Sequence, residues 1–273
     1  RAWSHAPEMS PADAHLVAER LEGTELQFDG LCLEGYVNGR SAEEGSDARA
    51  RAALWKAYFG YRLQGRHAAA VVAAGYLSRV PRPLARFSDA LLLAELAVTT
   101  ADAGASERAR GEAETALAEV YDDLGMVEAA RSAFFRAEER LAAVPVRLAY
   151  VYLKHATFLI DLGTPQDLRA SLRYLAAAEA ETRRAPEAPG MADTVFAIGL
   201  NRAVALAQLG DGAARDVLHA LAPGNEAQRA RQALVEGYLA ARGGDLAAAE
   251  ASFAASDETD PEYVSQSFLE LAR

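Results

Sequence analysis

Leu117-Ala118-Glu119-Val120-Tyr121-Asp122-Asp123-Leu124-Gly125-Met126-Val127-Glu128-Ala129-Ala130-Arg131-Ser132-Ala133-Phe134-Phe135-Arg136-Ala137 reads as helix, tight glycine turn, helix. Leu117, Ala118, Tyr121 and Leu124 fall on one helical stripe, and Ala130, Phe134 and Ala137 on a second. Gly125 ends the first helix. Large residues on one helix face small residues on the other, a pattern that lets two helices pack closely.

Working outward, the same punctuation returns. From Ala48, Leu54, Tyr58, Tyr61 and Leu63 form an apolar stripe, Gly65 turns the chain, and Ala70, Ala74 and Leu77 continue it until Pro81 and Pro83. Leu84 to Ala103 reads as one helix with Leu91, Leu92, Leu93 and Leu96 at its core, ended by Gly104. Ser106 caps the helix that leads to Leu124. Val146 to Leu162 carries Tyr152, Ala156 and Leu159, and Gly163 turns the chain. Thr164-Pro165 opens a helix with Ala170, Tyr174 and Ala177 inward. Thr194 to Leu209 ends at Gly210-Asp211, and a shorter helix spans Ala213 to Leu221. The last repeat, Ala230 to Tyr263, contains Gly237, Gly244-Asp245, Ala249, Phe253 and Asp260-Pro261, with a capping helix over residues 262–272.

These landmarks resemble the tetratricopeptide repeat, most specifically around Gly125, Gly163 and Gly244. The resemblance implies an all-α fold, a right-handed α-solenoid of antiparallel helix pairs that binds a peptide or protein on its concave face. It divides the chain into an irregular segment over residues 1–47 and a repeat domain over 48–273. In the first segment, Ser10 and Pro11 open a short helix reaching about Glu22. Leu26 to Leu33 reads either as a small hairpin around Asp29-Gly30 or as a helix with a poor interior. Alanine- and arginine-rich arrays of this kind also resemble regions attached to bacterial kinases, transcriptional regulators and caspase-like proteases. A chain starting at Arg1 fits a module cut from such a protein, and that is the alternative reading.

Composition narrows the chemistry. Hydrophobic residues make up 51% of the 273 residues but aromatics only 8%, the difference being largely alanine, the best helix former. The net charge of −11 argues against a general nucleic-acid binder or a polybasic membrane anchor. No apolar run approaches the roughly 18 residues of a membrane span. The lone Cys32 excludes an intrachain disulfide and fits a reducing, cytoplasmic setting. As a nucleophile Cys32 would need a nearby base, yet His5, His15, His67, His155 and His219 are scattered, and burial as a small apolar residue is the simpler reading. No metal-ligand spacing or phosphate-binding loop occurs, so no metal, cofactor, small-molecule substrate or enzymatic activity is expected.

What remains is a binding surface. The only two lysines, Lys56 and Lys154, lie one turn before the aligned tyrosine of a first helix or its equivalent, and Asn201 takes the corresponding place later. Family members that grip a peptide's terminal carboxylate use Lys, Asn and Arg at such positions. Here the intervening repeat presents Ala116 and Glu119, which breaks the clamp. The groove residues implied are Lys56, Phe59, Arg62, Glu119, Asp122, Lys154, Thr157, Asn201, Arg231 and Tyr238. Arg79, Arg82 and Arg86 read as a solvated loop or as a docking point for an acidic partner. The Tyr and Phe stripe of Tyr58, Tyr61, Tyr121, Phe134, Tyr174 and Phe253 is expected in the core.

Overall fold

Ser10 accepts a hydrogen bond from the Asp13 amide and starts the first helix, with Pro11 at its first position. The computed structural model describes residues 9–39, 41, 45–80, 87–102 and 106–257. Thirteen helices and no strand occur among them. They are α1 Pro11–Leu21, α2 Gln27–Asn38, α3 Ser46–Leu63, α4 His67–Arg79, α5 Phe87–Asp102, α6 Glu107–Asp123 and α7 Val127–Leu141. Then come α8 Pro145–Leu162, α9 Pro165–Arg184, α10 Met191–Gln208, α11 Ala213–His219, α12 Glu226–Arg242 and α13 Leu246–Asp257. The chain forms two compact units, Arg1–Val144 and Pro145–Arg273. Pro81, Pro83, Arg82, Arg86, Gly104, Asp260-Pro261 and the capping helix of residues 262–272 lie outside the described residues.

Consecutive helices pack pairwise in each unit, the arrangement of an α-solenoid. In the second unit the pairs are α8/α9, α10/α11 and α12/α13. There α8 also packs on α10, and α10 on α12, so these three share a layer. In the first unit α3 packs on α2 and α4, while α4 reaches past α5 to α6.

The turn at Gly125 shows why glycine is needed. Its φ of 67° is in the left-handed region. Its amide donates to Asp122 and the Met126 amide to Tyr121, both at 2.8 Å, which satisfies the last carbonyls of α6. The expected apolar face of α7 is buried, whereas on α6 Leu117 and Ala118 are buried but Tyr121 and Leu124 are half-buried, as is Phe253 on α13. Phe134, Ala130 and Ala137 are enclosed on α7, with Ala118 opposite on α6. Closer still, a Cβ placed on Gly111 of α6 would meet Leu141 Cγ of α7 at 2.5 Å. A side chain at 111 would therefore displace the neighbouring leucine.

One open reading is settled, and three others change. The stretch Leu26–Leu33 is no hairpin: α2 is helical throughout, and its glycines are contact points. A Cβ on Gly35 would meet Leu54 at 2.4 Å. On α9 the buried stripe is Leu168, Ser171, Leu175 and Ala178, whereas Ala170, Tyr174 and Ala177 are only half-buried, a rotation of one residue. On α3, Leu54, Tyr58 and Tyr61 are core, but Leu63 is 89% exposed and belongs to the opposite face. Leu92 is likewise exposed on α5, leaving Leu93 as the buried member of its leucine run.

Candidate functional site

The predicted groove residues fall into two sets, one in each unit. In the first unit, Lys56, Phe59 and Arg62 stand on the exposed face of α3 at helical spacing. Phe59 is 58% exposed. Its ring stacks on Trp55 at 5.4 Å between centroids, with the planes 18° apart. Beneath it, the Tyr58 hydroxyl pairs with the Thr100 hydroxyl of α5 at 3.1 Å, within the buried interior. Arg62 reaches the same Thr100 hydroxyl at 3.4 Å. Thr100 is thus the buried polar point that ties α3 to α5.

Glu119 and Asp122 stand apart from that set, half-buried on α6. Glu119 is engaged by Arg79 of α4, whose Nε donates to it at 2.8 Å. Arg79 therefore serves an internal ion pair between α4 and α6. Two further internal pairs close the first unit. Arg66 grips Asp29 with two bonds of 2.9 Å and lies 4.7 Å from the Tyr61 ring centroid, while Tyr61 donates to Asp29 at 3.2 Å. Arg136 of α7 donates to Glu114 of α6 at 2.8 Å. Glu114 is only 5% exposed. The forked contacts of Arg66 with Asp29 and of Arg79 with Glu119 favour arginine over lysine.

In the second unit, Lys154, Thr157, Asn201, Arg231 and Tyr238 are all half-buried on the layer formed by α8, α10 and α12. Asn201 Nδ2 donates to Thr157 Oγ1 at 2.8 Å, and Thr157 in turn donates to the Leu153 carbonyl. This chain joins α10 to α8 and leaves the Asn201 carbonyl oxygen as an acceptor. The Lys154 ammonium lies 5.5 Å from the Tyr150 ring centroid. On α12, Arg242 lies over the Tyr238 ring and donates to its hydroxyl at 3.4 Å. Gln228 of α12 donates to Asp193 of α10 at 2.6 Å. Lys56 belongs to the first unit, while Lys154 and Asn201 belong to the second.

Cys32 is 1% exposed on α2. Burial pushes its thiol up to about 12, despite a hydrogen bond with Tyr61 that acts the other way. A thiol of that kind is protonated at neutral pH, and the thiolate is the nucleophilic form. His155, one of the scattered histidines, is fully buried with its ring 4.1 Å from that of Tyr174. Among the described residues, no group of three His, Cys, Asp or Glu side chains is placed to hold a metal ion. No described helix is long and apolar enough to cross a membrane.

The sequence reading passes over Trp55 and Thr100 and places Leu63 on the core stripe instead of the exposed one. The spacing of Trp55, Phe59 and Leu63 is i, i+4, i+8, so a second apolar stripe was present. It was masked because α3 is apolar on more than one face.

No family model matches this chain, and no curated protein matches it. Among solved structures, the fold is similar to that of BtubC (BKLC) from P. vanneervenii, with a TM-score of 0.51 and 17% sequence identity. The similarity covers 79% of this chain and 88% of that one, and at this identity it concerns the fold alone.

Proposed function

We propose that this chain is a tetratricopeptide-like scaffold that binds a protein or peptide partner and catalyses no reaction of its own. The supporting observation is the row of half-buried polar groups on α8 and α10. Lys154, Thr157 and Asn201 stand on adjacent helices of one layer, and the bond from Asn201 to Thr157 fixes their spacing. A preorganised row of donors and acceptors offers a bound segment hydrogen bonds without first ordering the side chains that make them. Tyr238 and Arg242 on α12 extend the same layer with an aromatic and cationic pair, residue types enriched where partners bind tightly. The buried, protonated Cys32 supports a structural role for that thiol and agrees with a cytoplasmic setting.

The test is partner recovery by cross-linking and affinity capture from source cells. The tagged full chain is compared with Lys154→Glu and Asn201→Ala variants. Partners held by the wild type are expected to be lost from both variants while folding is retained. Unchanged recovery with both substitutions would remove the α8/α10 layer from the binding surface.

A further inference from the structure

We infer that the exposed face of α3 is a docking surface for an acidic amphipathic helix of a partner protein. This rests on the scaffold reading and assigns it a second surface and a chemical class of partner.

The face is built from one helix. Ala52, Trp55, Lys56, Phe59, Arg62 and Leu63 recur at three- and four-residue intervals, and all but the half-buried Trp55 are exposed. Phe59 and Leu63 are large apolar side chains left in water one turn apart, and the Trp55 ring prolongs the stripe by stacking on Phe59. Scattered single apolar residues on a surface are ordinary, but a contiguous stripe rimmed by charge marks an interaction site. On α5, which Thr100 joins to α3, Leu92 is exposed as well, at 64%.

Charge identifies the partner. In a chain of net charge −11, α3 runs the other way, with Arg49, Arg51, Lys56 and Arg62 against the single Asp47. The ion pairs described above use up Arg66, Arg79 and Arg136. Lys56 and Arg62 are different: no carboxylate among the described residues pairs with either, and Arg62 meets only the neutral Thr100 hydroxyl. Two cations flanking an apolar stripe complement a helix with leucine-like residues at i, i+4 and i+8 and carboxylates beside them. Screening confines attraction and repulsion to within about 8 Å at physiological salt, so the local cations outweigh the distant negative charge. A nucleic acid would exploit the rings by base stacking, but one face of Phe59 is already occupied by Trp55 and Leu63 offers no stacking plane.

The probe is a peptide of about 18 residues, roughly five helical turns, with Leu at every third or fourth position and Glu between. It is titrated into the full chain carrying Trp3→Phe, which leaves Trp55 as the sole tryptophan. Trp55 emission is expected to shift to the blue as the peptide covers the stripe. Phe59→Ser with Leu63→Ser, and separately Lys56→Glu with Arg62→Glu, are each expected to weaken binding by about tenfold or more. Lys154→Glu is expected to leave it unchanged. The changed side chains are exposed and give up the Arg62 bond to Thr100 and the Phe59 stack on Trp55; circular dichroism confirms that the variants fold, and should a pair not fold, Phe59→Ser and Arg62→Gln singly replace it. The inference is overturned if a Leu/Lys peptide binds as tightly, if the α3 variants bind like wild type, or if no shift appears up to roughly millimolar peptide. It is also overturned if the α3 substitutions abolish self-association, oligonucleotide binding or anionic-vesicle binding instead. Loss with Lys154→Glu alone would move the peptide to the second unit and leave the scaffold reading standing. Failure of the peptide together with unchanged partner recovery in the Lys154 and Asn201 variants would remove both.

Discussion

Cys32 shows how far a single position can be read from sequence. Its isolation among scattered histidines already favoured burial, and the structure encloses it beneath Tyr61 with its thiol held neutral. The network around it was not legible. Asp29 and Arg66 are 37 positions apart, and nothing in local spacing announces their pairing. The network carries a consequence at high pH. The folded state holds the Cys32 proton up to about 12, whereas an unfolded cysteine releases it near 8.5. Burial likewise raises the Tyr61 phenol. Between those values the folded chain binds more protons than the unfolded one, so stability falls as pH rises through this window. Urea midpoints at successive pH values above 8 are expected to decline, less steeply for Cys32→Ala. Iodoacetamide at pH 8 should label Cys32 only on unfolding; rapid labelling of the native chain would contradict the buried, protonated thiol.

At the scale of elements, helix starts were the most readable features, because a cap is a local event. Ser10, Ser106 and Thr164 each accept the amide three residues ahead, as their sequence contexts indicate. Helix α2 was ambiguous for the opposite reason. Gly30 and Gly35 weaken a helix by propensity, and their use appears only when α1 and Leu54 of α3 press against them. The α6/α7 pair gives a quantitative test. Phe134→Ala should cost roughly 3–5 kcal/mol through lost burial and the cavity left behind. Ala130→Leu should cost about 1–3 kcal/mol by overpacking the same contact. Because helix pairs lean chiefly on their neighbours, both variants are expected to broaden or split the melting transition, seen by calorimetry. Sharp transitions at the wild-type midpoint would show that α7 is not packed as described. A second test concerns α1, which His15 ties to Glu34 of α2 at 2.7 Å, with Glu19 of its own helix also near. These carboxylates, the Glu34 hydrogen bond foremost, raise the His15 pKa. The stabilisation is complete below the ordinary histidine value and is lost as pH rises through the raised one. Amide exchange in α1 should therefore accelerate on going from pH 6 to 8, after correction for intrinsic rates, and His15→Gln should flatten the change.

At the scale of the whole chain, the all-α class and its alternation of helices and turns were legible because alanine, glycine and proline mark them locally. The arrangement of the residues read as a groove was only partly so. The residues on α8, α10 and α12 do share one layer, but Glu119 is bound to Arg79, and the α3 stripe gained Trp55 and Leu63. Surface facing depends on which neighbours cover a helix, and that is settled by tertiary packing. Charge acts at this scale too. With a sequence pI near 5.0, the chain is expected to lose colloidal stability as pH approaches that value and self-repulsion vanishes. Light scattering against pH should show the maximum there.

The close fit of Gly111 beneath Leu141 also bears on how such a chain descends. Any amino-acid replacement at 111 adds at least a methyl group, which collides with the leucine unless position 141 has already become smaller. The two positions are thus expected to drift together across related genes, a hydrogen at one accompanying a branched side chain at the other. Their joint inheritance would trace the α6/α7 contact through ancestry even where the surrounding letters have been rewritten.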